Sequence, residues 1–355
     1  MQTKRKTPMR RIAAILGPAA VLAVVLGAGH AFAQAQPQAN TTEAVRQRGT
    51  LRCGVQGPSN PGFGAPDSRG EWQGFNVDLC RAIAIMILGD PSKITIVPLS
   101  TQARFPALQS GEIDVATNST TWTMQRDSQL GFNFPAIIFY DGQGIMVRRS
   151  LGIDSATKLD GATICVPPGT TTELNLTDWF RARNLRFTPL VIESRVELTR
   201  AYDAGRCDAI TYDSTILYAQ RTTLQNPRDH IVLPERLSKE PLTVSVRHGD
   251  DRFHDIVGWA VFTLINAEEL GITRANVREQ LNSRDPQVRR LLGVEGALGE
   301  TLGISNDFGL RIIEALGNYG EIFERNLGPS TPLGVDRGIN RLYTDGGILY
   351  APPLR

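Results

Sequence analysis

A two-lobed α/β protein is what this sequence predicts, on three observations. Short apolar segments alternate with helical patterns from Leu51 onward, the order that builds largely parallel sheets flanked by helices. The same alternation restarts near Thr163. The chain is 355 residues long, 41% hydrophobic and 21% charged, which supports packed cores, excludes wholesale disorder and suggests about two domains.

The first unit opens with a strand at 51–55 and the turn-rich stretch 57–64. Over 76–88, Val77, Cys80, Ala84 and Ile87 recur on one helical face and Gly89 supplies the stop. A strand at 94–97, a helix at 101–110 ended by Gly111, and a strand at 113–116 follow. Pro106 requires that this helix be kinked or begin later. The second unit repeats the plan: a strand at 163–166, the turn Pro167-Pro168-Gly169, and a helix at 171–183 burying Leu176, Trp179 and Phe180. A strand at 186–190, a helix at 194–204 and a strand at 208–211 complete it.

An internal echo joins the two units. Leu108-Gln109-Ser110-Gly111-Glu112-Ile113-Asp114 and Tyr202-Asp203-Ala204-Gly205-Arg206-Cys207-Asp208 each read helix end, glycine, intervening pair, Asp, strand. Both strands run into polar residues, 117–123 and Tyr212-Asp213-Ser214. Ligands bind beyond the carboxyl ends of strands in open parallel sheets, so two facing lobes would share one cleft. The segment 144–147 leads out of the first lobe and 242–246 returns to it, which makes the second lobe an insertion with two hinge crossings. The expected division is 34–145 plus 243–270 for the first lobe, 146–242 for the second, and an extension over 271–355 with a helix near 306–316.

The formal charge of +2 is an N-terminal property, since Lys4, Arg5, Lys6, Arg10 and Arg11 precede the first acid, Glu43. An apolar run over 12–28 and the Ala31-Phe32-Ala33 triplet follow, the pattern of a secretory signal peptide cleaved near Ala33. The run is short for a membrane span of about 20 residues. Cleavage lowers the 38 basic side chains to 33 against 36 acids, a formal −3, which excludes a strongly basic nucleic-acid binder. No stable membrane insertion is expected after cleavage, and nothing in the sequence calls for more than a monomer. Cys53, Cys80, Cys165 and Cys207 are an even set in an exported chain and favour two disulfides, with three connectivities open.

Three segments carry candidate chemistry. Asn118-Ser119-Thr120-Thr121-Trp122-Thr123 precedes Arg126, and neutral donors beside one guanidinium suit a small carboxylate; the same run also reads as a helix cap with Arg126 on the solvated face. Gly169-Thr170-Thr171-Thr172-Glu173 places free N–H groups at a helix start, where anions are favoured, and also reads as a capping box. Asp213 stands either at the cleft, opposite Arg126, or as the cap of the next helix. Phe63 and Trp122 are either core or ligand platform. No G-x-S-x-G, H-E-x-x-H or Cys/His pairing marks a nucleophile or a metal site, and no cofactor is indicated.

These features together resemble the family 3 solute-binding proteins, the periplasmic amino-acid-binding components of bacterial ABC importers. The resemblance rests on Gly74-Phe75-Asn76-Val77-Asp78-Leu79, 107–114, 118–126, 169–173 and 202–213, and covers about 43–270. Gly131-Phe132-Asn133-Phe134, Tyr140-Asp141-Gly142-Gln143-Gly144, 318–326 and Tyr350-Ala351-Pro352-Pro353 resemble more narrowly the general L-amino-acid-binding proteins, which extends the match through the tail.

The resemblance implies a type II periplasmic-binding-protein fold with a two-strand hinge, a tail packed on the first lobe, and delivery of a free L-amino acid to a membrane permease. By the same resemblance Arg126, Thr121, Thr170 and Thr171, with Gly169, would hold the ligand's carboxylate, and Asp213, Ser119 and Asn118 its ammonium. Thr101 and Arg104 stand where other members place an aromatic and would meet a polar or acidic side chain, with Phe63 as a candidate wall. The cysteines would pair within lobes, Cys53 with Cys80 and Cys165 with Cys207. A dehydratase-like enzyme on the same fold would need a general acid, for which Glu193 or Glu197 are the candidates, and a ligand-presenting sensor is the other alternative.

Overall fold

The computed structural model describes residues 40–57 and 60–355; the expected signal peptide lies outside them. In chain order the strands are β1 Leu51–Gln56, β2 Ala65–Pro66, β3 Trp72–Gln73, β4 Ile94–Leu99, β5 Val115–Thr121, β6 Phe132–Asn133, β7 Ile137–Asp141, β8 Gln143–Arg148, β9 Ala162–Val166, β10 Phe187–Val191, β11 Ala209–Asp213, β12 His230–Val232 and β13 Glu240–Arg247. The helices are α1 Thr41–Arg48, α2 Phe75–Leu88, α3 Arg104–Ser110, α4 Met124–Gln129, α5 Thr171–Arg181, α6 Arg195–Asp203, α7 Ser214–Arg221, α8 Asp251–Glu269, α9 Pro286–Leu291, α10 Leu298–Leu302, α11 Phe308–Leu316 and α12 Tyr319–Asn326.

Among the described residues two principal sheets form, one per lobe. The first runs β4-β1-β5-β13-β6 with β7 also paired to β13, and the second runs β10-β9-β11-β8-β12. Strands β4, β1 and β5 are parallel, as are β10, β9 and β11, but β13 and β8 pair antiparallel to their neighbours. The sheets are therefore mixed, not mainly parallel as expected. The reason is the hinge: a strand that enters a lobe from the cleft, as β8 and β13 do, must run against the strands whose carboxyl ends face it.

The chain leaves the first sheet after Asp141 and joins the second at Gln143, with Gly142 between them. It rejoins the first sheet at Glu240, so both crossings fall two to four residues earlier than the sequence suggested. The polar run after Ile113 is no loop either. It forms β5, all seven of whose residues are buried. Alternation was invisible there because this central strand is covered on both faces.

Local chemistry accounts for the boundaries. Helix α3 starts at Arg104, so Pro106 lies in its first turn, where its missing N–H leaves no hydrogen bond unmade. Helix α2 ends at Gly89 with φ 72°. It begins after Gly74, whose φ is 133°, where a Cβ would lie 2.4 Å from the Phe63 carbonyl carbon; only glycine permits that approach. Disulfides join Cys53 to Cys80 and Cys165 to Cys207, closing 27- and 42-residue separations, one from β1 to α2 and the other from β9 to the turn before β11.

The tail is part of the first lobe's core. Buried Ile312, Ile313, Tyr319, Ile322 and Phe323 join the cluster built on α2 and α8. The Tyr319 hydroxyl donates to the Ile138 carbonyl (2.8 Å), and Asn340 accepts from the Tyr140 N–H (2.6 Å) and donates to its carbonyl (2.9 Å). On α2, Asp78 accepts from Arg325 and Asn326 of α12 and from Arg81. The resemblance implied a tail packed on the first lobe; the contacts that seat it, such as Tyr319 on Ile138 across 181 residues, carry no local signal.

Candidate functional site

A small cavity of about 20 Å³ lies between the lobes, where the strand ends face each other. From the first lobe it is lined by Gln56, Thr101, Arg104, Ser119, Thr121 and Arg126. From the second come Thr170 to Thr172, Arg195, Tyr212 and Asp213. Eight residues proposed from the sequence therefore meet in one place: Thr101, Arg104, Ser119, Thr121, Arg126, Thr170, Thr171 and Asp213.

Arg126 sits on α4, whose cap is Thr123: its hydroxyl accepts from the Arg126 N–H (3.2 Å). The cap reading of this run is thus right for Thr123, yet Arg126 is not on a solvated face. It is 7% exposed, and its Nη1 donates to the Thr121 carbonyl at 2.8 Å. Burial lowers its pKa, while Glu240 and Asp213 oppose the shift. Arg104, 4% exposed, is pushed down to about 9 by burial and by the neighbouring Arg126 charge, with Asp213 opposing. Both guanidiniums lie over the Phe105 ring, at 4.7 and 5.3 Å from its centroid, an arrangement that holds cations without neutralising them.

Asp213 stands at the N-cap position of α7 but makes no capping hydrogen bond. Asp141, at the hinge, takes that role: its Oδ2 accepts from the Thr215 N–H (3.1 Å) and from the Thr215 hydroxyl. The Asp213 carboxylate is left facing the cavity. Burial raises its pKa well above the ordinary value, and the nearby Glu240 and Asp141 carboxylates raise it further. A cationic group placed there would reverse that cost.

Thr170 caps α5, accepting from the Glu173 N–H (3.2 Å), but the Glu173 carboxylate returns to the Gly169 N–H (2.9 Å) and not to Thr170. Ser119 has φ 52°, in the left-handed region, beside the register shift between β5 and β13; such strain costs about 1–3 kcal/mol and persists where surroundings fix it. Its hydroxyl exchanges hydrogen bonds with the Asn76 side chain at 3.0 and 3.2 Å.

Three sequence candidates lie elsewhere. Asn118 is fully buried within β5, accepting from the Thr120 hydroxyl at 2.6 Å, and does not line the cavity. Phe63 is a core residue with no exposed surface, packed edge-on to Phe75 at 6.4 Å, so it forms no wall of the cavity. Gly169 borders the adjoining surface groove near Leu130 and Leu174. Trp122 is 40% exposed and stacks on Phe134. Of the candidate acids, Glu193 accepts from Ser100 at the rim (2.7 Å) and Glu197 is exposed on α6, so neither enters the cavity.

Glu240 is the residue that sequence reasoning missed. At the start of β13 and 1% exposed, it accepts from the Thr121 hydroxyl of the first lobe. It also accepts from Thr171 (3.2 Å) and Asn175 (2.8 Å) of the second, and from Ser238 (2.6 Å). One carboxylate thus ties both lobes to the hinge. Arg195 adds a second cross-cleft contact, donating to Gln56 Oε1 at 2.6 Å. Lone acids and arginines carry no local signal of such pairing.

A hinged pair of lobes closed over a polar cavity, with cations from one lobe and a carboxylate from the other, defines a solute-binding protein. The chain belongs to the bacterial extracellular solute-binding proteins, family 3, whose model matches residues 51–274. It is 52% identical to the general L-amino acid-binding periplasmic protein AapJ of Rhizobium johnstonii, over 95% of this chain and 98% of that one. It is 49% identical to the glutamate/glutamine/aspartate/asparagine-binding protein BztA of Rhodobacter capsulatus, over 96% and 99%. A periplasmic binding protein from Brucella ovis, solved with glutathione bound, superposes with a TM-score of 0.88 at 50% identity, covering 89% of this chain and all of that one. The fold is the type II periplasmic-binding-protein fold, and these relatives are solute-binding proteins of amino-acid ABC transporters. No helix among the described residues is long and apolar enough to cross a membrane.

Proposed function

We propose that this chain is exported to the periplasm, captures a free L-amino acid between its lobes as a monomer, and hands it unchanged to the permease of an ABC importer. The observation that carries the reading is the pairing of Arg126 and Asp213 across one buried cavity, from opposite lobes. The ligand's α-carboxylate would take the free donors of Arg126 beside the start of α5 at Thr171, with Thr121, Thr170 and Thr171 lining the site while their own hydroxyls donate to Glu240 and Pro167. Its α-ammonium would meet Asp213. Both ends of the zwitterion are then fixed, and the side chain alone sets selectivity. That side chain faces Thr101, Arg104 and Gln56, donors and acceptors that suit polar or acidic groups. BztA, a glutamate/glutamine/aspartate/asparagine-binding protein, supports the same range.

Ligand bridging would hold the lobes closed, because each charge satisfied belongs to a different lobe. The test is a thermal-shift screen of the twenty amino acids on the mature protein, followed by calorimetry. A ligand that binds only the native state raises the melting temperature. Polar and acidic L-amino acids should do so, their D-isomers should not, and recovered ligand should be chemically unaltered by mass spectrometry. A screen in which no amino acid shifts the transition would overturn the proposal.

A further inference from the structure

The family match ends at residue 274, and part of the chain beyond it lies against the hinge. Strand β7 carries the chain to the first crossing and pairs with β13, with Tyr140 opposite Pro241 and Asp141 opposite Glu240. Proline has no N–H to give, and the Pro241 carbonyl accepts from the Trp122 N–H just past β5 (2.9 Å). The Tyr140 N–H and carbonyl therefore face away from β13, as alternate residues of an antiparallel strand do. Asn340 of the tail closes that edge. Its side-chain amide accepts from the Tyr140 N–H (2.6 Å) and donates to the Tyr140 carbonyl (2.9 Å), as a neighbouring strand would. Asn340 is 3% exposed. Its own carbonyl accepts from Arg337 (3.0 Å), which is ion-paired with Glu268 on α8. A run of bonds thus ties the backbone just before the hinge to the core of the first lobe.

The next groups along the chain are held by the other lobe. The Asp141 carboxylate accepts from the Thr215 N–H (3.1 Å) and the Gly142 carbonyl from the Ser214 N–H (2.9 Å), both at the start of α7. At Gly142 a Cβ would lie 2.8 Å from the Ser238 carbonyl oxygen, so the outgoing and returning crossings approach backbone to backbone. With Tyr140 fixed to one lobe and Asp141 to the other, the bend is confined to the bonds between 140 and 142. We propose that the tail braces this hinge and that Asn340 is the positioning residue that fixes where the first crossing bends. With Asn340 in place, lobe rotation is concentrated at one joint and the ligand-free protein samples few open arrangements. Without it the joint spreads back into β7, the open state gains conformational freedom, and closure about a ligand must give up more of it. Neither Asn340 nor Tyr140 lines the cavity, so the effect reaches the ligand only through the hinge. The binding arm of the test rests on the reading of that cavity as the amino-acid site.

Asn340→Leu keeps the bulk of the side chain and removes both hydrogen bonds. Tyr319→Phe is the control: it deletes another buried bond from the tail to β7, the one to the Ile138 carbonyl (2.8 Å), behind the fixed point. Solution scattering on the ligand-free mature chain and calorimetry with L-glutamate compare both variants with wild type. N340L should enlarge the ligand-free radius of gyration and leave the ligand-saturated one unchanged. It should weaken binding about three- to thirtyfold, the range over which residues that touch no ligand alter coupling. Y319F should lower the melting temperature, yet keep the wild-type ligand-free radius and an affinity within about twofold, because the bond it removes does not set the joint. Asn340→Asp keeps the acceptor for the Tyr140 N–H and loses the donor; it should show the same signs as N340L and carries the test if N340L does not fold. A wild-type radius and affinity in the Asn340 variants, or equal losses in N340L and Y319F, overturns the brace. A wild-type chain that binds no amino acid overturns the reading of the cavity instead, and the ligand-free scattering then decides the brace by itself.

Discussion

Replacing Asp213 with asparagine tests the central pairing while keeping the side chain's shape. Two effects of opposite sign follow. With ligand bound, the ammonium loses a buried charge partner, a change worth about 2–5 kcal/mol when one member of such a pair is removed. In the ligand-free protein, Asp213 is held against burial and against Glu240 and Asp141, which raise its pKa, so part of the wild-type binding energy goes into ionising it. Asparagine removes that cost and can still accept a hydrogen bond. The net loss at pH 7 is therefore placed at the low end, about 2–3 kcal/mol, roughly 30- to 160-fold in Kd. The assay is calorimetry with L-glutamate and L-glutamine, paired with melting of the ligand-free variant. An acid whose folded pKa is raised destabilises the fold increasingly as pH rises from its unfolded value through its folded one. The ligand-free D213N protein should accordingly melt higher at pH 8, by roughly 2–4 °C per kcal/mol recovered. Affinity within threefold of wild type, with no rise in melting temperature, would refute the assignment.

The same linkage predicts the pH profile. Binding an ammonium needs Asp213 ionised, so affinity for a zwitterion should fall by up to about tenfold per unit as pH drops below the raised ligand-free pKa, and D213N should flatten that slope. Arg126→Ala removes the guanidinium that donates to the Thr121 carbonyl at the cavity wall and should weaken binding by about 2–5 kcal/mol, read by calorimetry against a variant of exposed Arg186. Glu240→Gln loosens the tie between Thr121 and Asn175; a loss of about tenfold in affinity, from weakened hydrogen bonds to a charged group, with a larger radius of gyration in solution scattering, is expected. Breaking the Cys165–Cys207 bridge with paired serines frees a 42-residue separation and should cost about 4 kcal/mol on the chain-entropy model, measured by urea unfolding.

Periodicity placed α2, α5 and α6 to within a residue or two, because an amphipathic helix writes its buried face into the chain at fixed spacing. Strand β5 was misread as half loop for the opposite reason: Thr117 to Thr121 are polar but buried on both sides, satisfied by partners such as Asn76 and Glu240 that no local pattern reveals. The site divides along the same line. Arg126 and Asp213 were candidates from their places at strand ends, yet whether each was a cap or a cleft residue was open. That question turned on Asp141, which caps α7 from 74 residues away and leaves Asp213 free. Phe63 failed as a wall because the Gly74 turn draws it under α2 into the core.

By itself the sequence determined the α/β alternation, the doubled lobe, the apolar N-terminal segment and the set of side chains able to hold a zwitterion, all of which depend on residue type and short-range spacing. Only the tertiary structure decided through which contacts the tail docks, that Asp141 and not Asp213 caps α7, and that Glu240 joins both lobes. Those outcomes depend on groups separated by tens to hundreds of residues and brought together by burial, and contact at that range is set by how the elements pack, which local spacing does not encode.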